Sequence, residues 1–316
     1  MWFFFRARIP AVTARKMGCF LLTETMARRH ELSMTSYDRL FPNQDTMPRG
    51  GFGNLIALPL QASQFTDLPG NPGLRSASVL VISEDGSVIY GKDEHTVRPI
   101  ASITKLMTAM VILDAGVDLD EKITVTKADR DLIQLTGSRL EYGATLSRRE
   151  MIMLSVMASE NRAATALGRT FPGGMTAFVA AMNRKAAELG MRDSHFADPA
   201  GLSVDNRSTA ADLALMVTRA YDYPLIRKAS TTTRFEVRPY AKRGPLVYGN
   251  TNRLLKNRNW DIDVSKTCYI MEAGRCLVMR ARIEGELLSI VLLNSYGKLT
   301  PFGDSNRLRK WMLARG

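Results

Sequence analysis

The chain has 316 residues, 45% of them apolar and 23% charged, and a formal net charge of +12. Such a chain buries a full core, is not disordered along its whole length, and fits one large domain with a short extra segment. The basic balance suits a polyanionic neighbour (nucleic acid, an anionic membrane surface or an acidic wall polymer) and equally suits plain solubility.

Residues 1 to about 62 are irregular in pattern. The start, Met1-Trp2-Phe3-Phe4-Phe5-Arg6, is apolar but too short for a signal h-region, and Arg6, Arg8, Arg15 and Lys16 fall where that region would continue. No export signal is expected as the chain is written, and no apolar run is long enough for a transmembrane helix. Thr66 to Gly73, with Pro69-Gly70 and Pro72-Gly73, reads as a linker. Ser76 to Ser83 is apolar and β-branched, Glu84-Asp85-Gly86 is a turn and Ser87 to Tyr90 resumes the strand pattern, which predicts a β-hairpin. A helix is expected from Ser102, with Ile103, Leu106, Met107, Met110 and Val111 at helical spacing. Further helical stretches are expected over Arg148 to Leu167, Met175 to Leu189 and Ala210 to Ala220. From about Phe235 strands take over: Val264 to Ile270, Cys276 to Ile283 and Leu287 to Asn294, with Ser305 to Ala314 as a closing helix. Strands at both ends with helices between them predict an α/β sandwich whose sheet is mostly antiparallel.

Three short motifs carry chemistry. In Ser102-Ile103-Thr104-Lys105, a spacing of three on a helix brings the lysine amine beside the serine hydroxyl. A serine at a helix start also sits where backbone N–H groups favour negative charge. A neutral lysine there can take the serine proton during attack on a carbonyl; a simple helix cap is the structural alternative. Ser295-Tyr296-Gly297-Lys298 has the same spacing but sits at a strand end with a glycine inside, a poor place for a helix. In Ser159-Glu160-Asn161 a hydroxyl and an amide can both face a cleft if the chain leaves the helix there, one relaying a proton and the other holding a carbonyl. A polar helix junction is the plain alternative. Lys266-Thr267, on an expected strand, pairs a cation with a hydroxyl and suits a carboxylate, unless the lysine is merely exposed. Three cysteines, Cys19, Cys268 and Cys276, are odd in number and lack a CxxC pair, and His30, His95 and His195 lack ligand spacing. Neither a disulfide framework nor a metal site is expected.

Taken together and in this order, the motifs resemble the S-x-x-K, S-x-N and K-T-G signature of the penicillin-binding serine D,D-peptidase and β-lactamase superfamily. The segments from Pro99 to Met110, Ser159 to Ala164, Gly201 to Ser203, Asn206 to Thr209 and Ala273 to Met279 resemble its D-alanyl-D-alanine endopeptidase branch, and the likeness runs from about residue 74 to the end. The resemblance implies a transpeptidase-like α/β fold, a mostly antiparallel sheet flanked by helices plus a helical subdomain, over residues 67–316. It implies an acyl-enzyme formed on Ser102 with Lys105 as base, Ser159 and Asn161 completing the cleft, and Lys266 and Thr267 binding carboxylate. The substrates would be peptidoglycan peptides, with β-lactam antibiotics as covalent inhibitors and no cofactor or metal. An oxyanion hole would come from the backbone N–H of Ser102 and one N–H of the late strand. Relatives work in the periplasm, whereas the chain as written is expected to stay in the cytoplasm.

Two departures stand out. Cys268 replaces the signature glycine, and strand period puts it on the face of Lys266, towards the cleft. The chain also ends after the closing helix, without the extra β domain and amphipathic tail of membrane-anchored carboxypeptidases, which favours an endopeptidase. No Glu-x-x-Leu-Asn follows the second motif, Asp193 to Asp198 occupying that stretch, so a class A β-lactamase is not expected. Separately, Ser36 to Asp45 and Gly51 to Leu60 resemble archaeo-eukaryotic primase-like proteins over about fifty residues, without the acidic metal-binding motif. Residues 1–66 are therefore read as an extension, not an independent domain, and nucleic acid is not an expected partner. The alternatives are a penicillin-binding pseudoenzyme impaired by Cys268, or a fusion carrying a nucleic-acid-binding appendage.

Overall fold

The computed structural model describes residues 71–314, and the readings made for residues 1–66, including Cys19 and His30, lie outside them. A five-residue apolar run, Ser78–Ile82 (β1), turns at Gly86, whose φ of +86° suits glycine, and pairs antiparallel with Val88–Lys92 (β2). After the short Arg98–Pro99 (β3) come Thr104–Asp114 (α1), Lys122–Thr124 (β4), Thr145–Ser147 (β5), Arg148–Met157 (α2), Asn161–Arg169 (α3) and Gly174–Glu188 (α4). Arg207–Ser208 (β6) pairs with β3, and Ala210–Ala220 (α5) and Pro224–Thr231 (α6) follow. The hairpin Arg234–Val237 (β7) and Leu246–Gly249 (β8) precedes three ten-residue strands, Asp261–Ile270 (β9), Gly274–Ile283 (β10) and Glu286–Ser295 (β11), and Thr300–Leu313 (α7) closes the fold.

The main sheet has the order β2-β1-β11-β10-β9, all antiparallel, so the first strand pairs with the last and β9 lies at an edge. Strands β1, β10 and β11 are buried on both faces, which explains their nearly continuous apolar character, while the edge strand β2 stays partly exposed. Leu80, Val264, Val278, Val291 and Leu293 face the helical side with Met107, Met110, Leu213 and Val217. The alternate residues Val79, Val81, Leu277, Met279, Ile290 and Leu292 face Leu308 of α7. Helix α1 is buried from Thr104 to Ile112, so it runs through the interior rather than along the surface. Among the described residues no helix is long and apolar enough to cross a membrane.

The helical stretch expected over Arg148 to Leu167 is two helices. Helix α2 starts on a capping box between Ser147 and Glu150 and stops at Met157. Ser159 then takes a left-handed φ of 60°, and the Glu160 carboxylate accepts the backbone N–H of Ala163 to cap α3. Proline at the first turn explains α6, which periodicity alone did not mark.

One buried carboxylate ties the two chain-distant edges of the unit together. Asp304 of α7 accepts the backbone N–H of Arg75 at 3.0 Å and of Ser76 at 2.7 Å, and also the Ser76 hydroxyl. Its side chain is fully buried. Removing it leaves those N–H groups without acceptors, and bonds to a charged group contribute most. Asp304→Ala is expected to lower unfolding stability by about 3 kcal/mol, read as a fall in the urea midpoint at unchanged slope.

Candidate active site

Ser102 is the middle residue of a single 3-10 turn, Ala101–Ile103, that leads directly into α1. Three residues on, Lys105 is fully buried, and its Nζ lies 2.8 Å from Ser102 Oγ, 2.8 Å from Asn161 Oδ1 and 2.5 Å from the carbonyl of Ala200. Two of these partners are carbonyl oxygens, which can only accept. A neutral amine therefore spends its two N–H groups on Asn161 and Ala200 and aims its lone pair at the Ser102 hydroxyl. Burial lowers the Lys105 pKa from its ordinary value to about 8, against the opposing pull of Asp198, Glu160 and other anions. The neutral form is thus accessible near neutral pH.

The Ala200 carbonyl is placed by Asp198, which sequence reading did not assign. Its carboxylate accepts the backbone N–H groups of Ala200 at 2.7 Å, Gly201 at 2.6 Å, Leu202 at 3.1 Å and Ser203 at 2.8 Å, as well as the Asn206 amide. The loop so formed presses on the nucleophile turn. Gly201 has a φ of +74°, and a Cβ there would stand 1.9 Å from the Ala101 carbonyl oxygen, so only glycine fits. Ala101 itself holds a φ of 45°, a strained value for a residue with a side chain.

Asn161 is held from its other end. Its Nδ2 donates to Thr136 Oγ1 at 2.8 Å, and that hydroxyl donates to Asp131 at 2.6 Å. Asp131 also accepts the backbone N–H groups of Ile133, Gln134 and Thr136. Burial raises its pKa, but the hydrogen bonds from Thr136, Gln134 and Ile133 outweigh that and hold the carboxyl low. Asp131 and Thr136 were likewise missed in the sequence.

On the opposite wall, the Lys266 amine donates to Ser159 Oγ at 2.9 Å and to the carbonyl of Thr267 at 2.9 Å. Lys266 is 1% exposed and does not line the cavity. Its amine ends against Ser159 Oγ, which opens onto the cavity, and Thr267 lines the cavity directly. Burial, reinforced by Lys105, pushes the Lys266 pKa well below its ordinary value. The Thr267 hydroxyl donates to Thr251 at 2.7 Å. Cys268 does line the cavity, on the face shared with Lys266.

Ser102, Ser159, Asn161, Thr267 and Cys268 open onto one cavity of about 770 Å³. Arg253, Lys256, Arg275 and Lys298 also line it, and among the described residues no carboxylate does. The serine of the second S-x-x-K spacing, Ser295, lies apart: it is fully buried at the end of β11, its hydroxyl 2.7 Å from that of Ser76. Chemically, the cavity offers a hydroxyl with a base poised on it, a second hydroxyl bonded to an amine, and a cationic rim.

A chain with a transpeptidase-like sandwich and this serine–lysine cleft is a member of the D-alanyl-D-alanine carboxypeptidase family, whose profile matches residues 67–297. Its relatives include the D-alanyl-D-alanine endopeptidases of Pseudomonas aeruginosa, 43% identical over 78% of this chain and 79% of that protein, and of Escherichia coli, 42% identical over 76% and 78%. The crystal structure of the Streptomyces K15 DD-transpeptidase superposes with a TM-score of 0.70 at 26% identity, covering 76% of this chain and 98% of that one. Residues 1–68 match a different profile, the archaeo-eukaryotic primase domain of the TOTE conflict system.

Because Asp198 holds four backbone N–H groups, Asp198→Ala is expected to cost about 3 kcal/mol or more. Urea unfolding measures the loss, and an unchanged midpoint would mean that the loop is held by other contacts.

Proposed function

We propose that the chain is a serine-type D-alanyl-D-alanine peptidase that cleaves peptidoglycan peptides through an acyl-enzyme on Ser102, with endopeptidase cleavage favoured over carboxypeptidase cleavage. The observation that carries this reading is the Lys105 amine, bonded to two carbonyl oxygens and 2.8 Å from the Ser102 hydroxyl. Neutral Lys105 takes the Ser102 proton as Oγ bonds to the D-alanyl carbonyl carbon. The oxyanion forms against the backbone N–H of Ser102 and an N–H of the edge strand β9. Ser159, bonded to Lys266, delivers a proton to the leaving amine as the peptide bond breaks and is reprotonated from Lys105, which returns to the neutral amine. Water then attacks the ester with Lys105 again as base, releasing the acyl product and restoring Ser102. Asn161 positions both Lys105 and the substrate amide. Thr267 receives the substrate carboxylate, and the buried Lys266 charge beneath it becomes favourable once that anion arrives.

The endopeptidase preference is supported by the names of the two relatives above 40% identity. Residues 67–316 act as the peptidase domain and residues 1–66 as an extension. Because cross-linked peptidoglycan lies outside the cytoplasmic membrane, the activity belongs in the periplasm. β-Lactams, cyclic analogues of the acyl donor, acylate the same serine.

Fluorescent penicillin is expected to label the protein and Ser102→Ala to abolish labelling, while Ser295→Ala leaves it intact. Purified cross-linked muropeptides separate the cleavage modes: release of monomers marks the endopeptidase, and release of D-alanine alone would overturn that preference.

The pH dependence follows from Lys105. Below its pKa of about 8 the amine is protonated and cannot accept a proton. Acylation is therefore expected to rise with pH and level off above about 8, falling about tenfold per unit on the acid side. A rate independent of pH between 6 and 8 would remove Lys105 as the base.

A further inference from the structure

Two thiols that the proposed reaction does not use face each other in the wall of the cleft. Cys268 on β9 and Cys276 on β10 are direct cross-strand partners in an antiparallel pair. Both are free and buried, both belong to the apolar cluster on the helical face, and both line the cavity that holds Ser102. Residues directly opposite in such a pair have side chains on one face and Cα atoms about 4.5 or 5.5 Å apart, depending on whether they exchange backbone hydrogen bonds. Either spacing falls within the roughly 4.4–6.8 Å that a disulfide spans. The Cys276 thiol meanwhile donates to the carbonyl of Ala273 at 3.5 Å, within the turn that joins the two strands. The tight turn over residues 271–273 sets this register, because it pairs Ile270 with Gly274 and so brings residue 268 opposite residue 276.

We infer that Cys268 and Cys276 are a cross-strand dithiol beside Ser102 that a disulfide-bearing oxidant closes into a disulfide, drawing the Cys268 sulfur away from the nucleophile. The oxidant is a small or protein-borne disulfide, R–S–S–R, which enters through the cavity. One cysteine thiolate attacks an oxidant sulfur, forming a mixed disulfide and releasing the first R–SH. The second cysteine then displaces the other R–SH. Two cysteine thiols are oxidised, one disulfide is reduced to two thiols, and the two cysteine protons leave on R–SH.

The consequence for the cleft is geometric. Strand β9 packs against the 3-10 turn that carries Ser102, and Cys268 occupies the position where the family signature has glycine. Bonding at about 2.0 Å pulls its sulfur towards β10, away from that turn, and returns part of the space that glycine would leave. Burial and the neighbouring Cys276 hold the Cys268 thiol well above its ordinary pKa, so exchange at neutral pH is slow, on the order of hours without a catalyst.

The test uses the full chain with Cys19→Ala, which leaves the two thiols of interest. Incubation with oxidised glutathione is expected to remove both thiols, to give a peptide map with Cys268 linked to Cys276 and no bound glutathione, and to be reversed by dithiothreitol. Persistence of both thiols, or glutathione bound separately at each, would overturn the inference. With Cys276→Ala as well, no internal disulfide forms, and a disulfide-sized mass loss in that variant would equally count against it.

The second readout is acylation of Ser102 by fluorescent penicillin, expected to be at least about threefold faster in the disulfide form. Cys268→Gly should match that faster rate whatever the oxidant, and equal rates for the oxidised and reduced protein would overturn the effect on the cleft. This rate effect rests on the acylation reading above; disulfide mapping does not. A mapped disulfide in a protein that penicillin never labels would sink that reading and leave the dithiol standing.

Discussion

Everything in the cleft depends on keeping one lysine amine dry. Lys105 is fully buried near a second buried lysine, Lys266, whose charge burial and then Lys105 make less favourable. The folded state answers with fixed dipoles rather than a paired carboxylate: the carbonyl oxygens of Asn161 and Ala200 lie on Lys105, and the Ser159 hydroxyl and Thr267 carbonyl lie on Lys266. A salt bridge would hold the Lys105 proton, whereas two carbonyls solvate the amine and still let the proton go. The arrangement has a cost in stability. Because the Lys105 pKa is lowered from 10.5 to about 8, the unfolded chain binds more protons between those values, so stability rises with pH across that window. Below pH 8 the burial costs about 3 kcal/mol.

That cost is carried by groups well outside the motif. Asp198 gathers four backbone N–H groups so that the Ala200 carbonyl faces the amine. Gly201 lets this loop touch the Ala101 peptide, and Asp131 with Thr136 fixes the Asn161 amide in the orientation that offers its oxygen to Lys105. Both anchors are carboxylates satisfied mainly by backbone N–H groups. They stabilise irregular loops where no helix or strand ladder could supply the hydrogen bonds. A rigid interior helix, α1, then delivers Ser102 and Lys105 to the meeting point.

These differences explain what could be read from the sequence. The serine–lysine pair was legible because helical spacing alone brings residues three apart together, and the sheet was legible because its strands are long and apolar. The broken helix at Ser159 was not, since apolar residues continue on both sides of Ser159-Glu160-Asn161-Arg162 and the stop is made by one positive φ and one capping carboxylate. Asp198 and Asp131 leave no periodic trace, because their partners are backbone atoms of neighbouring residues. An aspartate opening a loop is the local signal that could have flagged them. Strand alternation placed Lys266 and Cys268 on one face, but not the depth at which each stops. The pairing of Cys268 with Cys276 needed the length of the turn between them, and a one-residue change there would have moved them apart.

The basic excess of the chain also acquires a place. A net charge of +12 could be spread over the surface without meaning, yet four of the cations, Arg253, Lys256, Arg275 and Lys298, line the same cavity as Ser102, with no acidic residue beside them among the described residues. These residues are scattered over more than forty positions of sequence, so no local pattern announces them; the hairpins around β9 and the entry to α7 assemble them. In a concave site bounded by a low-dielectric wall, such a rim raises the local concentration of anions and orients them on approach. A wall peptide is rich in carboxylates, and under the proposed reaction only one of them sits at Thr267. The rim, in which Arg275 stacks on Tyr269, is thus complementary in charge to the carboxylates that such a peptide carries.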